Sequence, residues 1–311
     1  MSKTFRTSRY NWLLIFLIFF LNGCVTVLEK KGSEENSLPE QRYNFVDGGS
    51  ALYYRFNLGQ AQRKETALFF ISGSGCASVR DRFPRYLQPI SMVNAEVFLL
   101  QKRGIVPGSI AGHCSDEFVA SDHFEQTVAD QQAFISAMLR NSGVDYQNVV
   151  IIGASEGGIV AARIASLDRR VTHLGLIGTG GSTLRSYLTI LSKQNFFWGD
   201  PDEKFRLISD SPENLKSTVW GHTYKYWSSI LAVDLAALLT DLDIPIVMAM
   251  GEKDESVPVE TARQLQEEFV KQKRDNFKLL IFEGANHKLF DHERSTSYSA
   301  RFLLALKKTL N

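Results

Sequence analysis

Gly153-Ala154-Ser155-Glu156-Gly157-Gly158 follows the apolar run 149–152 and leads into Ile159-Val160-Ala161-Ala162. This is a G-x-S-x-G pattern set between an expected strand and an expected helix. The spacing suits a sharp turn that lifts a serine hydroxyl above a sheet edge, with small residues at 153 and 157 avoiding clashes inside the turn. A helix starting behind Ser155 puts the positive end of its dipole where negative charge would develop. A serine hydroxyl attacks when a base takes its proton, and that base needs an acid to orient it. The pentapeptide alone recurs by chance, so the reading turns on partners. Carboxylates cluster in Gly251-Glu252-Lys253-Asp254-Glu255-Ser256-Val257-Pro258, after the apolar run 245–250. Histidines stand at positions 113, 123, 173, 222, 287 and 292. Neither His-Glu-x-x-His nor Cys-x-x-Cys occurs, so no catalytic metal or other cofactor is implied.

With serine, carboxylate and histidine in this order, most of residues 42–311 resembles the α/β-hydrolase superfamily. The resemblance implies Ser155 as nucleophile, Asp254 as orienting acid and His287 as general base. Asp254 lies between a strand and Val257-Pro258, and His287 ends Gly284-Ala285-Asn286-His287 after the run 278–282. Glu252 and Glu255 are the competing carboxylates. The other histidines read as solvated or structural, with His292, expected on the following helix, the second choice of base and His222, in the lid region, the one that could reach substrate. The resemblance also implies an oxyanion hole made by the backbone N–H groups of Glu156 and Ser74, or of Gly75 if the loop is shifted by one. The loop Ser72-Gly73-Ser74-Gly75-Cys76 departs from the family pattern in carrying Ser72 where histidine is usual. It lacks the Gly-Lys-Ser/Thr ending of a phosphate-cradling loop, so nucleotides are not implied.

The elements that must position these residues show in the hydropathy pattern. Segments 50–57, 66–71, 97–100, 149–152, 173–178, 245–250 and 278–282 read as strands, most of them apolar throughout, as in parallel sheets covered on both faces. Helices are expected at about 122–141, 156–167, 258–272 and 293–309. The alternation predicts an α/β fold with a mostly parallel sheet and helices on both faces. Residues 182–240 break the beat and are rich in aromatics, including Tyr187, Trp198, Trp220, Tyr226 and Trp227. They read as a helical lid insertion over the carboxyl edge of the sheet.

The chain of 311 residues is 44% hydrophobic, which supports one large core, and its 35 basic and 34 acidic residues leave no field for nucleic acid. Residues 1–23 read as a signal peptide: Lys3, Arg6 and Arg9 precede ten apolar residues, too few to span a bilayer. Leu21-Asn22-Gly23-Cys24 resembles the lipobox of bacterial lipoproteins, with Asn22 a departure. The resemblance implies lipidation of Cys24, a polar tether over 24–41 and a domain over 42–311. It places the protein in the bacterial envelope, on the outer membrane facing the periplasm, with the bilayer as a partner. Cys76 and Cys114 fall in loops at the same sheet edge and could form a disulfide after export. The function expected is a serine hydrolase cleaving an ester, thioester or amide of a small-molecule or peptide acyl substrate, carboxylesterase-like first. A serine peptidase of the same fold, or a non-catalytic envelope binding protein on this scaffold, is the alternative.

Overall fold

The computed structural model describes residues 38–59, 65–80, 94–194 and 198–310. Cys24, the signal segment 1–23 and nearly all of the expected tether lie outside the described residues. Residues 38–311 form a compact unit.

Eight strands make the central sheet in the order β1-β2-β4-β3-β5-β6-β9-β10. They are β1 (Gln41–Asn44), β2 (Ser50–Leu58), β3 (Thr66–Ile71), β4 (Ala95–Leu100), β5 (Asn148–Ala154), β6 (His173–Ile177), β9 (Ile246–Gly251) and β10 (Phe277–Phe282). β2 runs antiparallel to β1 and β4, and every other neighbouring pair is parallel. The expected mostly parallel α/β sheet is therefore the observed one. β3, β4 and β9 are buried at every position, which explains why their sequences are apolar apart from Thr66 and Glu96. The chain leaves β3 for β4 on one side and meets β5 on the other. The carboxyl ends of β3 and β5 thus flank a topological switch point, where open α/β sheets place their ligands.

Helices cover both faces. On one lie α2 (Phe124–Asn141), α3 (Glu156–Leu167) and α8 (Val259–Lys271). Phe134 of α2 contacts the rings of Tyr43, Tyr53, Phe69 and Phe98, clamping the antiparallel edge to the parallel strands. On the other face α9 (Ser299–Lys307) buries Phe302, Leu303 and Leu306 against Val150, Ile152 and Val247.

Three features differ from the sequence reading. The helix expected over 122–141 is α2, but a short helix that was not expected, α1 (Asp116–Ser121), precedes it and ends at Asp122, whose carboxylate is buried. The helix expected over 293–309 starts only at Ser299. Before it comes a hairpin, β11 (Phe290–Asp291) with β12 (Thr296–Ser297), whose turn is tied by Asp291 to Arg294. The segment 182–240 is not wholly helical. It contains α4 (Leu184–Gln194), α5 (Pro201–Asp210), α6 (Tyr224–Ile230) and α7 (Leu235–Thr240), with a hairpin of β7 (Thr218–Val219) and β8 (His222–Thr223) between α5 and α6. Asp200, Thr223 and Asp234 cap α5, α6 and α7 with side-chain oxygens that accept backbone N–H bonds. α7 packs its buried Leu235 and Leu239 into the sheet's helical layer, so that end of the segment is core.

Candidate active site

Ser155 stands between β5 and α3 with φ 54° and ψ −124°, a backbone state that non-glycine residues rarely hold. The turn is bound on both sides. Ser155 N–H donates to the Ile177 carbonyl at 2.7 Å, and the Ser155 carbonyl accepts from Gly158 N–H at 2.9 Å. The Thr179 hydroxyl also donates to that carbonyl, at 3.2 Å. A Cβ at Gly157 would fall 2.3 Å from the Ile71 carbonyl oxygen, so glycine here lets the elbow pass against the end of β3.

The loops that carry Asp254 and His287 meet through another close approach. A Cβ at Gly251 would lie 2.3 Å from the Asn286 carbonyl oxygen, and Lys253 N–H donates to the Ala285 carbonyl at 2.9 Å. Asp254 Oδ1 accepts the N–H groups of Ser256 and Val257, each at 2.9 Å. Oδ2 faces His287 Nδ1 at 2.8 Å. The carboxylate is fully buried, whereas the imidazole is part-exposed. A carboxylate on Nδ1 sets the tautomer that leaves Nε2 free to accept a proton. Ser155, His287, Gly73 and Ser74 line one cavity of about 380 Å³.

A second cavity of about 190 Å³ also opens at Ser155 and Ser74. Its wall includes Trp198, Trp220, Trp227, Tyr226, His222 and Leu188. The indole N–H groups of Trp220 and Trp227 are spent on the carbonyls of Trp198 and Val219, at 2.9 and 2.7 Å, which leaves this wall largely apolar. The inserted segment thus borders the serine at α4 to α6.

Sequence reasoning missed the polar group beneath the serine. Lys102, at the end of β4, donates to Asp122 at 2.9 Å and to Glu156 at 3.0 and 3.2 Å. Tyr226 donates to Glu156 at 3.1 Å, and His222 Nδ1 lies 3.4 Å from Asp122. Burial pulls the Lys102 ammonium down, but the two carboxylates outweigh it and hold it at about 12. Burial lifts the Asp122 carboxyl, and Lys102 and His222 overcome this, so it sits below its ordinary range. Burial and the nearby carboxylates push the Tyr226 phenol well up, which keeps it a donor. From sequence, Glu156 matters only through its backbone N–H. A lysine ending an apolar strand offers no sequence signal of such partners.

The other expected residues are placed as follows. His222 lines the aromatic cavity and stacks on Tyr226, with ring centroids 4.0 Å apart. His292 lies in the β11–β12 turn rather than on a helix, at 3.2 Å from the Asn286 amide. Gly75 has a positive φ of 90°, and Cys76 beside it is joined to Cys114 by a disulfide with a Cα–Cα distance of 5.4 Å. Among the described residues, no group of three or more His, Cys, Asp or Glu is placed to hold a metal ion. None of their helices is long and apolar enough to cross a membrane.

Sheet order, serine elbow and an acid–base pair on two neighbouring loops define an α/β-hydrolase, and the protein is a serine hydrolase. More narrowly, the chain belongs to the prolyl oligopeptidase family, whose profile matches residues 112–311. No curated protein matches it by sequence. Among solved structures it is similar to Est1E from Butyrivibrio proteoclasticus with ferulic acid bound, at TM-score 0.62 and 16% identity over 86% of this chain and 99% of that one. The esterase Pf2001 of Pyrococcus furiosus is similar at TM-score 0.57 and 14% identity, over 88% of this chain and 91% of the other. The acylaminoacyl peptidase of Pyrococcus horikoshii gives TM-score 0.60 and 12% identity, over 88% of this chain but only 41% of the other. At such identities these likenesses show the fold.

Proposed function

We propose that Ser155 forms an acyl-enzyme, with His287 as general base and acid, Asp254 as its orienting carboxylate, and the N–H groups of Glu156 and Ser74 as oxyanion donors. The carrying observation is the buried Asp254 carboxylate 2.8 Å from His287 Nδ1, with His287 and Ser155 lining one cavity. In the first step the hydroxyl oxygen attacks the acyl carbon while its proton passes to His287 Nε2. The leaving group then takes that proton, and water repeats the sequence to release the acid. The aromatic cavity at Ser155 favours a compact apolar group. Its 190 Å³ compares with the roughly 150 Å³ apolar void that accepts a benzene ring. We therefore favour carboxylesterase-like work on short or aromatic acyl esters. Peptidase activity is the second reading, favoured by the family match.

A fluorophosphonate probe should label the wild type and not Ser155→Ala; an unlabelled, folded wild type would sink the proposal. Acyl p-nitrophenyl esters set against aminoacyl arylamides decide between ester and amide.

Leu21-Asn22-Gly23-Cys24 supports a lipid anchor at Cys24 holding the enzyme to the outer membrane. Growth with a labelled fatty acid should mark the wild type and not Cys24→Ala, with activity kept. An unmarked wild type would count against the anchor.

A further inference from the structure

We propose that Glu156 is a positioning residue. Its buried carboxylate, held by Lys102 and by Tyr226 of the inserted segment, fixes the peptide whose N–H serves as an oxyanion donor. The inference rests on the reading of Ser155 as nucleophile. The Ser155–Glu156 peptide is trans, so its N–H points opposite to its C=O. The carbonyl end is aimed by Gly158 N–H and the Thr179 hydroxyl. The N–H end belongs to the first residue of α3, which has no acceptor within its own helix. Hydrogen bonds to the carbonyl thus fix one side of the peptide plane, and the Glu156 side chain fixes the other.

The cost of that side chain marks its role. An ionised carboxylate is expensive to bury, and an apolar pair of similar volume is often no less stable than a buried ion pair. Glu156 is nevertheless 5% exposed, with three bonds to two partners from distant parts of the chain. Lys102 comes from the end of β4. Tyr226 comes from α6, next to Trp227 in the wall of the aromatic cavity. α6 is further pinned by Ser229, whose hydroxyl accepts Phe124 N–H at 2.9 Å. One bonded set therefore holds the cavity wall and the oxyanion donor in register. A donor that cannot swing stabilises developing charge without reorganising, which is the condition for oxyanion catalysis.

The test compares Glu156→Gln and Tyr226→Phe with wild type on a short p-nitrophenyl ester. Active sites are counted by fluorophosphonate labelling. Glu156→Gln keeps the volume, and Lys102 keeps Asp122. Its kcat per labelled site should fall about 10- to 100-fold, somewhat less than outright loss of an oxyanion donor. KM should stay within about threefold, because ground-state binding is not what the donor improves. The inhibition constant of a trifluoromethyl ketone, which adds Ser155 to give a tetrahedral oxyanion, should rise by the same factor as kcat falls. Tyr226→Phe should show the same parallel loss, smaller, about 3- to 10-fold for one neutral-donor bond. A merely structural role would lower the number of labelled sites and leave kcat per site unchanged. Per-site kcat within twofold of wild type in Tyr226→Phe, or in a folded Glu156→Gln, overturns the inference alone. Should Glu156→Gln not fold, Tyr226→Phe decides by itself. A folded wild type that takes no label overturns the nucleophile reading and this inference with it.

Discussion

Gly157 and Gly158 are adjacent in the elbow but face different neighbours. A methyl at 157 would meet the Ile71 and Ser72 carbonyl oxygens at 2.3 and 2.5 Å, and these are backbone atoms that no rotamer moves. A methyl at 158 would meet the Thr179 hydroxyl at 2.1 Å, which is a side chain. Gly157→Ala should therefore cost at least about 3 kcal/mol in urea unfolding, as for overpacking that the backbone must absorb. Gly158→Ala should be partly restored by Thr179→Ala, which leaves only the Cβ contact at 2.9 Å. Simple additivity of those two changes would refute the steric account. Asp254 carries a separate prediction. In Asp254→Asn the oxygen can still accept from Ser256 and Val257, which places the amide nitrogen against His287 Nδ1. Nδ1 must then accept, the proton moves to Nε2, and the base is lost. Steady-state kinetics should show kcat down about 10³- to 10⁴-fold with little change in melting temperature.

At the level of elements, the disulfide braces the loop that supplies Ser74. Cys76 and Cys114 are 38 positions apart, and Cys76 is buried with Ile105 and Phe118. Closing a ring of that size limits the unfolded chain by about 4 kcal/mol in the entropic account. Replacing both cysteines by serine should lower the melting temperature and also kcat, because Ser74 lies two residues from the bridge. Full activity below the melting transition would show that the loop needs no brace. The strands were legible because buried parallel strands leave continuous apolar runs, as in Thr66–Ile71. β1 was not, since Gln-Arg-Tyr-Asn at a sheet edge alternates between half-buried and exposed positions. Ser155, Asp254 and His287 could be singled out because each follows a strand. Lys102 and Tyr226 escaped because their meaning lies in contacts with Glu156 54 and 70 residues away, which no local pattern encodes. The hairpin at 290–297 escaped for a different reason: its strands are two residues each, too short to show a period, and its turn is held by Asp291 to Arg294.

Across the whole molecule, the ion pairs at Lys102 join β4, the end of α1 and the elbow, and set a pH window for stability. Asp122 is held below the usual 3.8 in the folded state. A depressed carboxyl adds stability that is full above the unfolded value and is lost as pH falls through the folded one. Lys102 is raised from 10.5 to about 12, so its contribution is full below 10.5 and is lost as pH rises through about 12. Between these limits both terms hold. Asp122→Asn leaves Lys102 with Glu156 alone and His222 without its carboxylate. Breaking one side of a buried pair costs about 3–5 kcal/mol, so the variant should be weakened by that order near neutral pH. The gap should narrow as pH falls below 3.8, where the unfolded chain takes up the proton first, and close as pH passes the lower value of the folded carboxyl. Urea unfolding of both proteins at about pH 7, 4 and 3 measures it. A gap that stays constant down to the lowest pH would mean that the lost amount is packing or hydrogen bonding and not charge. A gap that closes would assign it to the ion pairs that tie the serine turn to the sheet.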